Sequence, residues 1–342
     1  MNSKTIKYEN NKFKGIIHYS DEDPGYSRKK HGRGFMYFDE NGEKITANPI
    51  IERIKNIGIP PVWEDVWICP NPEGHLQATG LDARGRKQYL YHEDWIEFQQ
   101  ETKFENLLEF GYALPGIRRK IPGDLKQDEW TREKVLALII GILDETYIRI
   151  GNKQYLDINR THGLTTLRRK HLKIKSNRAV LKYKGKHSKE HVVAINNKKF
   201  IRLVKECSEL PGYEIFRYRS RNGKMVTVSS SDVNEYLQEI TGDAFTSKNF
   251  RTWGGTVTAI KKYPLAKEKV KQNRRLKLRR AIVKEVAKEL NNTIAISEKY
   301  YIHPEVLDAL DSLHFSPKRY NVNVKPEELD LEERIVLAII EG

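Results

Sequence analysis

Metal-free phosphoryl transfer takes three kinds of group. These are a nucleophile, cations for the non-bridging oxygens and an acid for the leaving oxygen. Between Arg149 and Tyr301 this 342-residue chain holds residues of all three kinds. Arginine suits the cation role because its planar fork grips phosphate through two bonds and keeps its charge. Lysine can serve as the acid once positive neighbours and desolvation bring its pKa toward neutrality. A tyrosine hydroxyl titrates near about 10 when unperturbed, so an attacking tyrosine needs cations beside it. In so basic a chain, residue types alone do not define a site.

The placement of charge narrows the partner. Lys and Arg number 61 and Asp and Glu 46, a net of +15. Residues 161–280 hold 30 basic and 9 acidic side chains, a net of +21. Residues 1–100 sum to −1, 101–160 to zero and 281–342 to −5. A +21 block repels itself unless a polyanion complements it, which points to nucleic acid. An anionic membrane surface fits less well, because the block lacks a sustained apolar helical face.

Two domains must position these groups. Residues 1–92 read as a small β-rich domain, with short runs such as KFKGIIHYS, GRGFMYF, PVWEDVWICP, HLQATG and KQYLYH between Gly, Pro, Asn and Asp clusters. One helix, PIIERIKNIGIPP, interrupts them. Residues 93–342 read as a larger, mainly helical domain, so the fold class expected is α+β. An amphipathic helix is expected over Glu93–Gly111 and another after Thr131, a plausible N-cap. Lys173–Val193 alternates like a basic β-hairpin turning near Gly185, and helical patterning resumes from HVVAINNKKF onward. Lys267–Arg280 is compatible with one basic helix.

Several functions have no support. There is no G-x-x-x-x-G-K-[ST] loop, no H-E-x-x-H and no zinc or calcium spacing, so neither nucleotide nor metal cofactor is expected. Two cysteines, Cys69 and Cys207, make no disulfide framework and fit a reducing compartment. The N-terminus is not a signal peptide, and the longest apolar run, Val135–Leu143, is too short to span a bilayer. An intracellular protein is expected.

Six blocks then stand out in order. They are IPPVWEDVWICPNPEGHLQATGLDARGRKQYLYHEDW (59–95), YIRIGNKQY (147–155), HGLTTLRRKHL (162–172), YKGKHSKEH (183–191), SKNFRTWGGT (247–256) and NNTIAISEKYYIHP (291–304). Together they resemble the bacterial and poxvirus-like type IB DNA topoisomerases, a family that includes giant-virus members. The resemblance implies a clamp on duplex DNA, a transient 3′-phosphotyrosyl link and relaxation of supercoils without ATP or metal. It also implies a monomer without an obligatory protein partner. The setting would be the nucleoid in a bacterium, or the virion or viral factory for a giant virus.

By the same resemblance, Tyr301 is the nucleophile, and Arg149 and Arg251 clamp the phosphate. Lys186, at the hairpin turn, is the general acid for the 5′ oxygen, and Lys248 assists it. Lys248 lies one helical turn from Arg251. Asn292 stands where poxvirus relatives have His, and would donate a hydrogen bond without bringing charge. Tyr300 beside Tyr301 leaves a one-residue ambiguity, since such an offset turns a helical side chain by about 100°. Gln88, Tyr89, Tyr91, Tyr155 and Arg168 are the expected DNA contacts. Phe250 and Trp253 read as core. The rival readings are a tyrosine recombinase, which usually shows H-x-x-R where this chain has Lys248-x-x-Arg251, and a non-enzymatic DNA-binding protein.

Overall fold

The computed structural model describes residues 15–342 except Arg33, Arg84, 154–155, 158–159, Ser176, 313–314, 317–318 and 321–327. The chain forms two compact units, Met1–Thr102 and Lys103–Gly342.

The first unit is built on a five-stranded antiparallel sheet. Its strands are β1 (Tyr26–His31), β2 (Gly34–Phe38), β3 (Glu64–Ile68), β4 (Leu76–Leu81) and β5 (Lys87–Tyr91), in the order β2-β1-β3-β4-β5. Helix α1 (Asn48–Asn56) opens with a proline, which has no N–H to leave unsatisfied there. Its Ile54 buries with Ile59, Val66, Ile68 and Ala78 in a small core. The alternation along β5 puts Leu90 against this core, on the face that also carries Gln88. Tyr89 and Tyr91 stand on the opposite face.

Helix α2 (Glu93–Asp124) begins where the composition changes at His92 and runs on into the second unit. It outlasts the expected end at Gly111 and carries Pro115 and Pro122 inside it. Each proline removes one backbone hydrogen bond. Leu114, Ile117 and Ile121 offset this by burying at helical spacing in the main core.

The second unit packs helices α3 (Arg132–Thr146), α4 (Lys198–Glu209), α5 (Ser230–Thr241), α6 (Ser247–Gln272), α7 (Leu278–Glu289), α8 (Ile294–Tyr301), α9 (Pro304–Asp311) and α10 (Leu331–Glu341) around one hydrophobic core. Helix α3 starts at Thr131, whose side chain accepts from the Lys134 N–H. It is buried continuously from Lys134 to Leu143. Helix α6 is buried without a break from Phe250 to Ile260, with Phe250 and Trp253 in the core.

Two local expectations need correction. The basic hairpin is a three-stranded sheet of β6 (Leu172–Lys175), β7 (Arg178–Lys184) and β8 (Glu190–Ile195), so HVVAI is strand and not helix. Its β-branched valines pair with β7, and α4 starts only where the Asn197 side chain accepts from the N–H groups of Lys199 and Phe200. The basic stretch 267–280 is two helices. Asn273 leaves the helical conformation and accepts the Arg275 N–H on its side chain, a local bond that competes with the helix. Strands β9 (Arg217–Arg219) and β10 (Met225–Thr227) add a small hairpin that the sequence pattern did not mark. Among the described residues no helix is long and apolar enough to cross a membrane.

Candidate active site

Four residues far apart in sequence meet in the second unit. The last turn of α3 ends at Tyr147, which adopts the left-handed conformation (φ 53°) and so turns its carbonyl away from the helix. That carbonyl accepts Nη1 of Arg251, and the Leu290 carbonyl at the end of α7 accepts Nη2 at 3.0 Å. Arg251 is only 6% exposed, and among the described residues its Nε has no partner. Burial, and then the charge of Arg149, push its pKa down to about 10. It remains a cation at neutral pH.

Arg149 follows two residues after Tyr147. Its Nη2 donates to Asn292 Oδ1 at 2.5 Å. The Asn292 backbone N–H closes the end of α7 on the Ala287 carbonyl at 2.8 Å. Its side-chain Nδ2 is buried and, among the described residues, lacks an acceptor. A buried amide donor left open costs free energy, and an anion placed beside it would recover that cost.

Tyr301 closes α8. The Arg251 guanidinium lies 5.1 Å from the centre of its ring. The backbone of Tyr301 sits directly against α6. A Cβ added at Gly255 would lie 2.2 Å from the Tyr301 carbonyl oxygen, so only glycine fits at that crossing. Thr256 completes the contact, accepting the His303 N–H at 3.1 Å while its hydroxyl lies 3.5 Å from the Tyr301 carbonyl. Tyr300, one residue earlier, is half-buried with Lys299 Nζ 5.5 Å from its ring centre.

Beside the two arginines lies a cleft of about 240 Å³ lined also by Tyr183, Glu190, His191 and Asn291. Tyr183 and His191 stack at 5.3 Å, and a Cβ at Gly185 would press within 2.6 Å of the His191 ring. Burial first, then Arg149 and Arg251, push the His191 pKa down to about 4, so its ring is neutral at pH 7. The sequence reading did not single out Tyr183 or His191. The block YKGKHSKEH contained both, but their contact depends on strand pairing.

The other expected residues are more scattered. Lys186 is exposed in the turn between β7 and β8, a few residues from Tyr183 and His191. Lys248 is exposed in the first turn of α6, ahead of buried Arg251. The structure does not bring either ammonium onto the Arg149–Asn292–Arg251–Tyr301 group among the described residues. Arg168 pairs with Glu214 at 3.7 Å. In the first unit, Tyr89 and Tyr91 are near-parallel at 6.2 Å, whereas Gln88 donates to Asp82 at 3.1 Å. Tyr155 lies outside the described residues. Among the described residues no group of three or more His, Cys, Asp or Glu is placed to hold a metal ion.

Residues 92–325 match the family model for the catalytic core of eukaryotic DNA topoisomerase I, and residues 34–82 match that for the N-terminal domain of bacterial DNA topoisomerase IB. The chain belongs to the type IB DNA topoisomerase family. It is 32% identical to DNA topoisomerase 1B of Acanthamoeba polyphaga mimivirus over 81% of this chain and 85% of that protein. It is 24% identical to DNA topoisomerase I of monkeypox virus over 78% of this chain and 84% of that one. A structure of the XerH site-specific recombinase bound to palindromic difH substrate overlaps 58% of this chain and 50% of that one, at 14% identity and a TM-score of 0.35. The chain is therefore an isomerase of DNA, relaxing supercoils by the tyrosine transesterification of its family.

Proposed function

We propose that Tyr301 is the nucleophile of this topoisomerase and that Arg149, Arg251 and Asn292 form the pocket for the scissile phosphate. The observation that carries this reading is the approach of buried Arg251 to the Tyr301 ring, next to the Arg149–Asn292 pair. The Tyr301 oxygen gives up its proton to solvent and attacks phosphorus while the bond to the 5′ oxygen breaks. The products are a 3′-phosphotyrosyl ester and a 5′-hydroxyl end. Arg149 and Arg251 neutralise the non-bridging oxygens, and Asn292 Nδ2 donates the bond that is open in the free protein. Lys186, carried by the β7–β8 turn, delivers the proton to the 5′ oxygen when DNA fills the site, with Lys248 assisting. The duplex swivels, and the 5′-hydroxyl attacks back. The tyrosyl ester keeps the energy of the phosphodiester, so resealing needs no ATP.

All the proposed groups lie on one chain, which supports a monomer acting on duplex DNA. The Tyr89–Tyr91 face of β5 and Arg168 are the proposed DNA contacts outside the pocket, with Gln88 at the sheet edge and Tyr155 completing the set. The site of action would be wherever the duplex genome lies, a nucleoid or a viral factory.

One assay tests the reading. Supercoiled plasmid in EDTA without ATP should relax stepwise with the native chain. Tyr301→Phe should abolish relaxation and covalent adducts, and Tyr300→Phe should retain both. Inactivity of the Tyr300 variant alone would move the nucleophile by one residue. Binding without any relaxation by the native chain would favour a protein that only binds DNA.

A further inference from the structure

The first turn of α10 holds a carboxylate that the chemistry above does not use. Glu333 is 2% exposed and collects four donors. Arg118 of α2 gives Nη2 to Oε1 and Nη1 to Oε2, each at 2.8 Å. The indole N–H of Trp253 reaches Oε1 at 3.1 Å, and the Asp330 backbone N–H reaches Oε2 at 2.9 Å. Arg118 gives its other bonds to Asp144 of α3, from Nε at 2.8 Å and Nη2 at 2.9 Å, and to the Glu328 carbonyl at 3.1 Å.

The helix that carries Arg251 and the Tyr147 support both run into this group. Trp253 follows Arg251 by two residues on α6. Asp144 precedes by three residues Tyr147, whose carbonyl holds Arg251. The match to the catalytic-core family model ends at residue 325, so Glu333 lies beyond it. Stability alone is a weak reason for such a group, because a buried ion network recovers its desolvation cost only with good geometry, and apolar residues of equal volume often hold as well. What an apolar patch cannot supply is direction. Hydrogen bonds of fixed length from one carboxylate to α2 and α6, and through Arg118 to α3, set the rotation and depth of α6 against the end of α3.

We infer that Glu333, acting through Trp253 and Arg118, is a positioning residue that sets where the Arg251 guanidinium meets the scissile phosphate. This rests on Arg251 being in the phosphate pocket. It assigns to the C-terminal helix a part in the transition state without contact to DNA. Removing the link should leave duplex affinity intact and slow both cleavage and resealing.

The test is a double-mutant cycle on single-turnover cleavage of a duplex by the full chain. Trp253→Phe deletes the indole N–H and keeps an aromatic ring in the core. It should slow cleavage by on the order of 10-fold, equivalent to about 1.4 kcal/mol in the barrier, with duplex affinity unchanged. In an Arg251→Lys background the same change should have little further effect, because residues that act through one another are not additive. Glu333→Gln, which turns an amide toward the Arg118 donors, should repeat this pattern with a larger first step. Equal slowing in both backgrounds would overturn the inference and leave Trp253 a packing residue, and so would unchanged cleavage by both variants. If Arg251→Lys itself cleaves at the native rate, the phosphate-pocket assignment falls as well, so the two failures are distinguishable.

Discussion

At the scale of single residues, Asn292 carries two duties that one substitution series separates. Its Oδ1 holds Arg149, and its Nδ2 is the buried donor left open for the phosphate. Asn292→Ala removes both and should slow single-turnover cleavage by on the order of 10²-fold, the usual effect of losing one donor to a developing oxyanion. Asn292→Asp keeps an acceptor for Arg149 but replaces the donor with a negative charge facing the phosphate. It should be slower than the alanine variant. Native-like cleavage by Asn292→Asp would mean that the residue only holds Arg149. Arg251 stays charged despite its burial because carbonyls of Tyr147 and Leu290 solvate two of its nitrogens. The phosphate would complete that solvation, consistent with a site formed in advance of DNA.

At the scale of elements, the site depends on how closely α6 and α8 approach. Gly255→Ala would drive a Cβ into the Tyr301 carbonyl, a backbone atom that cannot rotate aside. The variant should lose about 1–3 kcal/mol of stability, as overpacked cores do, and relax plasmid far more slowly than that loss alone explains. Melting curves and relaxation time courses on the same preparation check this, and native-like relaxation would show that α8 can shift without cost. The sequence made this crossing only partly legible. SKNFRTWGGT and NNTIAISEKYYIHP were readable as blocks, and their helices form, but the 2.2 Å approach belongs to packing between segments 46 residues apart. The hairpin turning near Gly185 was legible, but HVVAI was also read as the start of a helix because so few residues suit either period, and only pairing with β7 decides. The tie from Glu333 to Trp253 was illegible for a related reason. In a chain whose residues are 31% charged, one more Glu in an amphipathic helix is unremarkable until its partners from α2 and α6 are seen.

At the scale of the whole molecule, positive charge and neutral histidines together predict sensitivity to acid. The chain carries +15 at neutral pH with its histidines uncharged, and the +21 segment contains both His171 and His191. Burial is the largest cause pushing His75, His171 and His191 down to about 4, reinforced by His18 for the first, His162 for the second and the two active-site arginines for the third. The unfolded chain titrates these groups near about 6.5, so between that pH and about 4 it binds more protons than the folded chain. Stability therefore rises with pH across this window. The contribution is complete above about 6.5 and is lost as pH falls toward 4. Most carboxylates stay ionised over the upper part of that range, so the histidines dominate there. Each proton taken up also adds charge to a molecule already strongly positive. The melting temperature should therefore fall steadily from pH 7 to pH 5, about the upper half of the window, and His171→Gln should flatten the slope by about one proton's share. Because His75 lies in the first unit and His191 in the second, both units should weaken together. A melting temperature that does not change over this range would mean that the histidines are not held neutral in the folded chain.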